Sequence, residues 1–173
     1  MSTGLGHLWA GWRSSYISQA TAAANRTQAG AQPCVLCGII APGGDDRERL
    51  VIWRGAHAAA VLNAYPYTSG HLMVLPTRHV GQLEDLEADE ASAVWDGVRR
   101  AVIAIKAAYR PGGINLGANL GRAAGAGVPD HLHLHALPRW DGDTSFMTTV
   151  AEARVLPEPL DETWSKLRAA WPA

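Results

Sequence analysis

The 173-residue sequence has almost no net charge and no long hydrophobic run. Its 15 lysine and arginine residues nearly balance 16 aspartate and glutamate residues, which leaves a formal net charge of −1. This balance argues against broad electrostatic binding to nucleic acid or to an anionic membrane surface. No apolar run reaches the roughly 18 residues of a membrane-spanning helix, and the N-terminus lacks the basic and apolar regions of a secretory signal. We therefore expect a cytoplasmic protein with neither a membrane nor a nucleic acid as partner.

Cysteine is scarce as well, because the chain has only Cys34 and Cys37, in the segment CVLC. In a protein without an export signal, this C-x-x-C spacing indicates a metal or redox site before a structural disulfide. The spacing alone leaves three interpretations open: half of a zinc site, a redox pair, or two small buried residues. No thioredoxin-like βαβ pattern follows the pair, which weakens the redox interpretation.

The first 32 residues differ in composition from the rest of the chain. Residues 5–17 are rich in aromatic and apolar side chains, including Trp9 and Trp12, and we expect them to dock on this subunit or on a neighbour. Residues 19–33 are small and polar and end in glycine and proline, as in a flexible linker. We therefore predict an N-terminal arm and linker over residues 1–32 and a single domain over residues 33–173.

The remaining sequence combines short strand patterns with two helical patterns. Val94, Val98 and Ile105 recur at helical spacing within residues 87–109, and the Pro-Gly-Gly segment at 111–113 ends the helix. The predicted strands are 49–55, 57–65, 71–76, 113–120 and 131–138, and a C-terminal helix is predicted over about 161–171. This order predicts an α+β fold with a sheet of about five strands, one long helix and one C-terminal helix.

Three histidines, His131, His133 and His135, occupy every second position of the segment DHLHLHALPRW, residues 130–140. A period of two is that of a strand, so the imidazoles are predicted to share one face, with the intervening apolar residues on the other. Imidazoles aligned on a rigid element can act as nucleophile, proton donor and orienting group around one reacting centre. Two other interpretations remain: a half-exposed strand face, and a metal site made of all three histidines.

A glycine-rich segment, NLGRAAGAGVPD at residues 119–130, comes directly before the histidines. Gly121, Gly125 and Gly127 allow the backbone to approach a ligand closely and to direct N–H groups at anionic oxygens. A plain flexible loop explains the glycines equally well. Placed before three histidines, however, the segment predicts a phosphate held over an imidazole, and a neutral imidazole that attacks phosphorus forms a phosphohistidine-type intermediate.

The segment HLHLHAL resembles the signature of the histidine triad (HIT) superfamily of nucleotidyl hydrolases and transferases, three histidines alternating with hydrophobic residues. Further segments resemble the family in the family's order: LNAYPYTSGHLMVLPTRH (62–79), NLGRAAGAG (119–127) and PRWDGDTSF (138–146). The resemblance covers about residues 33–150 and implies a HIT-like α+β fold with an antiparallel sheet. Within the superfamily, the N-terminal arm and the PRWDGD segment are most similar to actinobacterial-type diadenosine polyphosphate phosphorylases.

The resemblance implies a role for each matching position. His133 is expected to be the nucleophile that becomes adenylylated, and His135 is expected to contact phosphoryl oxygens or the leaving group. Asn63 matches the position that binds the ribose hydroxyls. The segment that contacts phosphate is matched by Asn119, Gly125, Ala126 and Gly127. Many relatives have a glutamine at the position of Gly127. The role of that glutamine is expected to pass to backbone N–H groups or to Arg122. Both water and phosphate are therefore left as candidates for the second acceptor.

The resemblance also supplies partners for the two cysteines. In zinc-bearing relatives, a histidine after the P-x-x-H strand and the first triad histidine complete the ligand set, and here these are His79 and His131. A Cys₂His₂ site is closed and tetrahedral, so a zinc ion held by Cys34, Cys37, His79 and His131 is expected to be structural. It would hold His131, the first of the three catalytic histidines, which lies two residues before the nucleophile. No organic cofactor is expected.

The function that the resemblance implies is cleavage of an adenine dinucleoside polyphosphate through a covalent nucleotidyl-His133 intermediate. Inorganic phosphate as second acceptor makes the enzyme a phosphorylase and water makes it a hydrolase; the resemblance favours the phosphorylase. A nucleoside phosphoramidate hydrolase and a non-catalytic nucleotide-binding protein are the alternatives. A homodimer or higher homo-oligomer is expected. No chemistry is assigned to the remaining histidines, His7, His57 and His71.

Overall fold

The computed structural model describes residues 34–144 and 156–173. The predicted arm and linker of residues 1–32, with His7 and the aromatic segment, lie outside these ranges, as does the end of the PRWDGDTSF segment. In chain order the described elements are α1 (Val35–Ile40), β1 (Val51–Arg54), β2 (Ala58–Leu62), β3 (Leu72–Pro76), a 3₁₀ turn (Leu83–Asp85), α2 (Ala88–Tyr109), β4 (Gly113–Ala118), a second 3₁₀ turn (Arg122–Ala124), β5 (Leu134–Arg139) and α3 (Leu160–Ala170). Among them, no helix combines the length and apolarity needed to cross a bilayer.

The five strands form one antiparallel sheet in the order β1-β2-β3-β5-β4. Helices α2 and α3 pack on one face, against a cluster that includes Ile52, Leu72, Val74 and Ala136. The opposite face carries a smaller cluster that includes Leu36 of α1 with Val51, Val61, Met73 and Leu75. Because both faces are covered, every residue of β2 and β3 is buried. The predicted α+β class and five-stranded antiparallel sheet are confirmed.

Helix α2 begins and ends one residue or less from its predicted bounds, because its signals are local. A capping box links Glu87 and Glu90 at its start, where the amide of Glu87 donates to Oε2 of Glu90 at 3.0 Å. Arg110 ends the helix in the left-handed conformation, directly before Pro111. Its buried face, which includes Val98, lies on the sheet.

Substituting Gly97 of α2 by alanine is expected to destabilise the protein, although alanine is the better helix former by about 1 kcal/mol. A Cβ at Gly97 would lie 2.8 Å from Cγ1 of the fully buried Val74 and 3.5 Å from the ring of Trp53. Overpacking costs about 1–3 kcal/mol, so urea unfolding should show a net loss of up to about 2 kcal/mol. Gly38→Ala in α1, where a Cβ meets nothing within 4 Å, is the matched control and should be neutral or stabilising. A stabilising Gly97→Ala would contradict the expectation.

Strand β5 begins at Leu134 rather than at residue 131 as predicted. His131 and His133 therefore precede the strand, and the pairing of β5 with β3 and with β4 starts at Leu134. The preceding segment bonds to a loop instead, because the amide of Leu132 donates to the carbonyl of Val80 at 2.7 Å. The alternating pattern is real, but a strand needs a partner ladder: β4 ends at Ala118, opposite Leu134, and β3 pairs with β5 only as far as Val74.

The short helix α1 contains the C-x-x-C pair and was not predicted from the sequence. Cys34 is its N-cap residue, Cys37 lies in its first turn, and Leu36 is its one buried residue. Leu36, Ile39 and Ile40 have helical spacing, but six residues are fewer than the roughly 11 to 18 over which periodicity identifies a helix.

Candidate functional site

The three triad histidines are buried on the face of the sheet opposite to α2 and α3. His131, His133 and His135 are 0%, 6% and 8% exposed, which contradicts the interpretation of a half-exposed strand face. His135 pairs in register with Met73 of β3, and side chains opposite each other in a ladder share a face. Met73 belongs to the smaller apolar cluster, which places His135 on the α1 side of the sheet. Buried rings of this kind need defined hydrogen-bond partners.

A backbone carbonyl determines where His133 carries its proton. Nδ1 of His133 lies 2.7 Å from the carbonyl oxygen of His131, which can only accept, so Nδ1 carries the hydrogen and donates it. In the neutral ring the other nitrogen, Nε2, then has the lone pair. His133 is thereby arranged as a nucleophile or base at Nε2.

A backbone amide determines, through His71, where His135 carries its proton. The N–H of Tyr67 donates to Nδ1 of His71 at 3.2 Å, so a neutral His71 carries its hydrogen on Nε2. That Nε2 lies 2.8 Å from Nδ1 of His135 and donates to it. A neutral His135 then carries its hydrogen on Nε2. The adjacent rings of His133 and His135, with centroids 5.1 Å apart, therefore present a lone pair and an N–H donor.

Burial keeps His135 neutral at physiological pH. Loss of solvation, with a smaller contribution from the neighbouring His133, lowers the pKa of His135 from 6.5 to about 4. The ring of Tyr67 lies against His71, with centroids 4.6 Å apart, and shields the histidine pair from solvent. His135 is consequently a hydrogen-bond donor without a positive charge.

Sequence reasoning assigned no chemistry to His71 and so missed its link to the triad. His71 is 1% exposed, and its partner His135 is 64 positions away along the chain. The segment TSGH matches the family, which was a signal for position but not for contact. His57, by contrast, is exposed.

The lowered pKa of His135 predicts a loss of stability on mild acidification. The unfolded chain takes up this proton near pH 6.5 and the folded protein only near pH 4, so the unfolded state binds more protons between these values. The free energy of unfolding is therefore expected to fall as the pH is lowered from 6.5 to 4. Urea unfolding at about pH 7 and about pH 5 should show a smaller loss in His135→Asn than in the wild type. Equal losses would show that His135 does not cause the effect.

Two cysteines and two histidines from three parts of the chain converge beside the triad. The cluster consists of Cys34 and Cys37 at the start of α1, His79 after β3 and His131 before β5, with one ligand atom from each within 4.8 Å of the others. Nδ1 of His131 lies 3.5 Å from Sγ of Cys34 and 3.4 Å from Sγ of Cys37. Nδ1 of His79 lies 3.4 Å from Sγ of Cys37. These four residues could hold a metal ion.

The protonation of the cluster agrees with that capacity. Nε2 of His131 donates to the carbonyl of Pro76 at 2.9 Å, which leaves the lone pair on Nδ1, facing the sulfurs. Burial lowers the pKa of His131 and so favours the neutral ring. Burial, with the neighbouring Cys34, raises the pKa of the Cys37 thiol. A bound cation would reverse the effect on the thiol by stabilising the thiolate.

The geometry contradicts the alternative of a metal ion held by all three triad histidines. Both ring nitrogens of His131 are engaged elsewhere, Nδ1 with the two sulfurs and Nε2 with Pro76. A three-histidine site would need one of these nitrogens to face His133 and His135. The first histidine of the triad therefore contacts the cysteine cluster, and the other two lie outside that cluster.

The glycine-rich segment runs from β4 to the triad through a 3₁₀ turn. Gly121 and Gly125 have φ angles of 78° and 94°, which favour glycine. Several of its amides are already bonded within the loop: Ala124 and Ala126 donate to Gly121, and Gly125 donates to Arg122. Among the residues that the structure describes, the amide of Gly127 has no such bond, so it is the N–H group at 125–127 that remains for an anion.

The other predicted nucleotide-binding residues follow β2 and β4. Asn63 is half-buried, with its Oδ1 accepting from the amide of Tyr65 at 2.9 Å and its Nδ2 3.4 Å from Nδ1 of His71. Asn119 directly follows β4 and is half-buried, whereas Arg122 is exposed at the start of the 3₁₀ turn. Within the described ranges, no hydrogen bond joins Asn119 or Arg122 to a triad histidine. The structure thus brings Asn63 to His71, the partner of His135. It leaves Asn119 and Arg122 in the segment that precedes the triad.

Comparisons with known proteins agree with this arrangement. The chain is 40% identical over 169 residues to the AP-4-A phosphorylase of Mycobacterium tuberculosis, which covers 96% of this chain and 85% of that protein. It is 35% identical over 95 residues to the asymmetrical bis(5'-nucleosyl)-tetraphosphatase of Schizosaccharomyces pombe, which covers 55% and 52% of the two chains.

A solved structure and a family model are also similar to this chain. The crystal structure of a Zn-bound histidine triad family protein from Mycobacterium smegmatis matches with a TM-score of 0.64 and 28% identity, over 82% of this chain and 94% of that one. The model of the HIT domain matches residues 46–142. These residues include β1 to β5 and all three triad histidines. The chain belongs to the HIT family.

Proposed function

We propose that the protein cleaves dinucleoside polyphosphates such as diadenosine tetraphosphate and carries the nucleotidyl group on His133. The observation that supports this most directly is the opposite protonation of two adjacent rings, with a lone pair on Nε2 of His133 and a hydrogen on Nε2 of His135. Displacement at phosphorus needs both an attacking lone pair and a donor for the departing oxygen. The 40% identity to an AP-4-A phosphorylase supports the substrate class.

In the first step, Nε2 of His133 attacks the α-phosphorus, and a P–N bond forms as the bond to the bridging oxygen breaks. With diadenosine tetraphosphate the leaving group is ATP, and AMP stays on His133. The Nε2–H of His135 donates to the departing oxygen and stabilises its developing charge. His131 orients the nucleophile, because its carbonyl accepts the hydrogen of His133 Nδ1.

In the second step, an acceptor attacks the same phosphorus and the P–N bond breaks, which restores His133. Inorganic phosphate as acceptor yields ADP, and water yields AMP. We favour phosphate, because the M. tuberculosis relative is a phosphorylase. For substrate binding, we propose that Asn63 contacts the ribose hydroxyls. We propose that Asn119, Arg122 and the loop of Gly125, Ala126 and Gly127 lie against the phosphates, with the amide of Gly127 as the backbone donor.

We propose that the Cys₂His₂ cluster binds zinc as a structural ion. In a tetrahedral site with Zn–S near 2.3 Å and Zn–N near 2.05 Å, sulfur and nitrogen ligands lie about 3.5 Å apart. Three of the four sulfur–nitrogen pairs within the cluster lie 3.4 to 3.5 Å apart. The Zn-bound relative from M. smegmatis supports the choice of metal. The ligands would be Cys34, Cys37, His79 and His131, and the ion would supply a rigid anchor for His131.

The cytoplasm is the compartment that we propose. Both cysteines are free, and a Cys₂His₂ site needs thiolates rather than a disulfide. Thiols persist where the redox potential is reducing. Fractionation of cells that produce the protein tests this assignment.

We also propose a homodimer or larger homo-oligomer. Strand β4 lies at an edge of the sheet and is exposed along most of its length, with Leu116 49% exposed. No other strand of the described residues pairs with this edge, and a second copy would cover it. The arm at residues 1–32, which we propose to be separate from the domain at 33–173, is a further element that could join subunits. Light scattering measures the molar mass, and a monomer at every concentration would overturn this proposal.

Product analysis on diadenosine tetraphosphate tests the function. With inorganic phosphate we expect ATP and ADP in equal amounts, and without it little turnover. Release of AMP independent of phosphate would instead identify a hydrolase. A nucleoside phosphoramidate assayed in parallel tests the alternative, because faster cleavage of its P–N bond would replace the proposed substrate. No turnover of either compound would reduce the protein to a nucleotide-binding module.

A further inference from the structure

The segment that carries the nucleophile is held by loop and side-chain contacts rather than by a strand ladder. Residues 131–133 precede β5, whose pairing starts at Leu134. The contacts that hold them include the bond from Leu132 to Val80, the bond from His131 to Pro76, and the packing of the His131 ring on Cys34 and Cys37. Of these contacts, the one with the cysteines can be altered by side-chain chemistry.

The two cysteines are more exposed than the triad histidines. Both are partly exposed, and Cys37 borders an open cavity of about 310 Å³ that Ile40, Pro42 and Thr77 also line. The triad rings are at most 8% exposed. A small oxidant that enters the cavity would therefore reach the side chain of Cys37.

The two sulfurs are close enough to react with each other. All four ligand atoms of the cluster lie within 4.8 Å of one another, the two Sγ atoms included. Both cysteines belong to the start of α1, so an S–S bond of about 2.05 Å would require movement of this short helix and of neither β3 nor β5.

We propose that Cys34 and Cys37 form a reversible redox switch, in which a hydroperoxide converts them to a disulfide. Formation of the disulfide lowers the activity of His133 as a nucleophile. One thiolate attacks the peroxide, an S–O bond forms, and the O–O bond breaks. The second thiolate attacks the resulting sulfenic acid, and an S–S bond replaces the S–O bond. With hydrogen peroxide, two thiols and one peroxide give one disulfide and two waters, and the two electrons pass from sulfur to oxygen.

The disulfide acts on the nucleophile through His131. It removes both sulfur ligands from the cluster, so the ring of His131 loses its contacts with the two sulfurs. A bound cation would be released at the same time. The carbonyl of the same residue orients His133. The proposed redox switch rests on the function and the metal site proposed above, because the function makes His133 the nucleophile and the metal site makes the two thiols ligands.

The test treats the full-length, zinc-loaded protein with a small molar excess of hydrogen peroxide. We expect the intact mass of the denatured chain to fall by two hydrogens, one zinc ion per chain to be released, and turnover to fall by about 10- to 100-fold. A dithiol with added zinc should restore all three. Hydrogen exchange at the amide of Leu132, which donates to Val80 at 2.7 Å, should become faster on oxidation.

A ligand substitution separates this switch from damage elsewhere. Cys34→His keeps a nitrogen ligand for zinc but cannot form the disulfide, so its turnover should be the same with and without peroxide. If this variant does not fold, the mass, the zinc release and the exchange rate of the wild type decide alone. A disulfide that forms without loss of turnover and without faster exchange would overturn the proposal, as would equal inactivation of Cys34→His.

The proposed function and the metal site fail in different ways from the switch. An untreated protein without turnover would remove the function, and an untreated protein without zinc would remove the metal. In either case the change in mass and the exchange rate at Leu132 still decide whether oxidation of the cysteines releases the segment of His133.

Discussion

His133→Asn is expected to abolish turnover of diadenosine tetraphosphate while AMP binding persists. The asparagine amide can still donate to the carbonyl of His131, as Nδ1 of His133 does at 2.7 Å, but it has no lone pair that attacks phosphorus. Loss of a nucleophile lowers turnover by about 10⁴-fold or more. Steady-state turnover and calorimetry with AMP measure the two effects separately.

The adduct gives a second readout of the same step. Wild-type protein quenched during turnover should gain the mass of one AMP moiety on His133, and His133→Asn should gain none. His57→Asn is the matched control, because His57 is an exposed histidine outside the site, and its turnover should stay within about twofold of the wild type. Turnover of His133→Asn within tenfold of the wild type would refute a covalent mechanism on this residue.

Of the substitutions that we propose, Cys37→Ser is expected to cause the largest loss of stability, because Sγ of Cys37 contacts Nδ1 of both His79 and His131. The variant should bind no stoichiometric zinc. If free zinc exceeds its dissociation constant about a thousandfold, the free energy of unfolding falls by about 4 kcal/mol. Metal analysis and urea unfolding measure the two quantities.

A chelator should reproduce this loss in the wild type and cause no further loss in Cys37→Ser. Val35→Ser is the matched control, because Val35 lies between the cysteines and is 57% exposed, and it should keep both zinc and stability. Equal stability of Cys37→Ser and the wild type under zinc-replete conditions would contradict a structural metal at this cluster.

The elements that were predicted well are those whose signals lie within a few residues. Helix α2 was predicted over 87–109 and spans Ala88–Tyr109, because its capping residues, its apolar spacing and Pro111 are all local. Strand β5 was predicted from residue 131 but begins at Leu134, because its start depends on where β3 and β4 stop pairing with it. Sequence periodicity does not contain that information.

The candidate site divides in the same way. The resemblance identified the triad and the four residues of the cysteine cluster, because these lie in recognisable segments, and the structure brings the cluster together. It did not identify His71, whose Nε2 lies 2.8 Å from His135. It also suggested free amides at Gly125 and Ala126, which are bonded within their own loop.

By itself, the sequence determined the family, the fold class and the identity of the histidines and cysteines, because these follow from residue types and spacings along the chain. The tertiary structure alone decided which nitrogen of each ring carries a hydrogen. That choice depends on a carbonyl two residues from His133 and on a histidine 64 positions from His135. A neutral histidine ring has two tautomers, and its hydrogen-bond partners in three dimensions select between them.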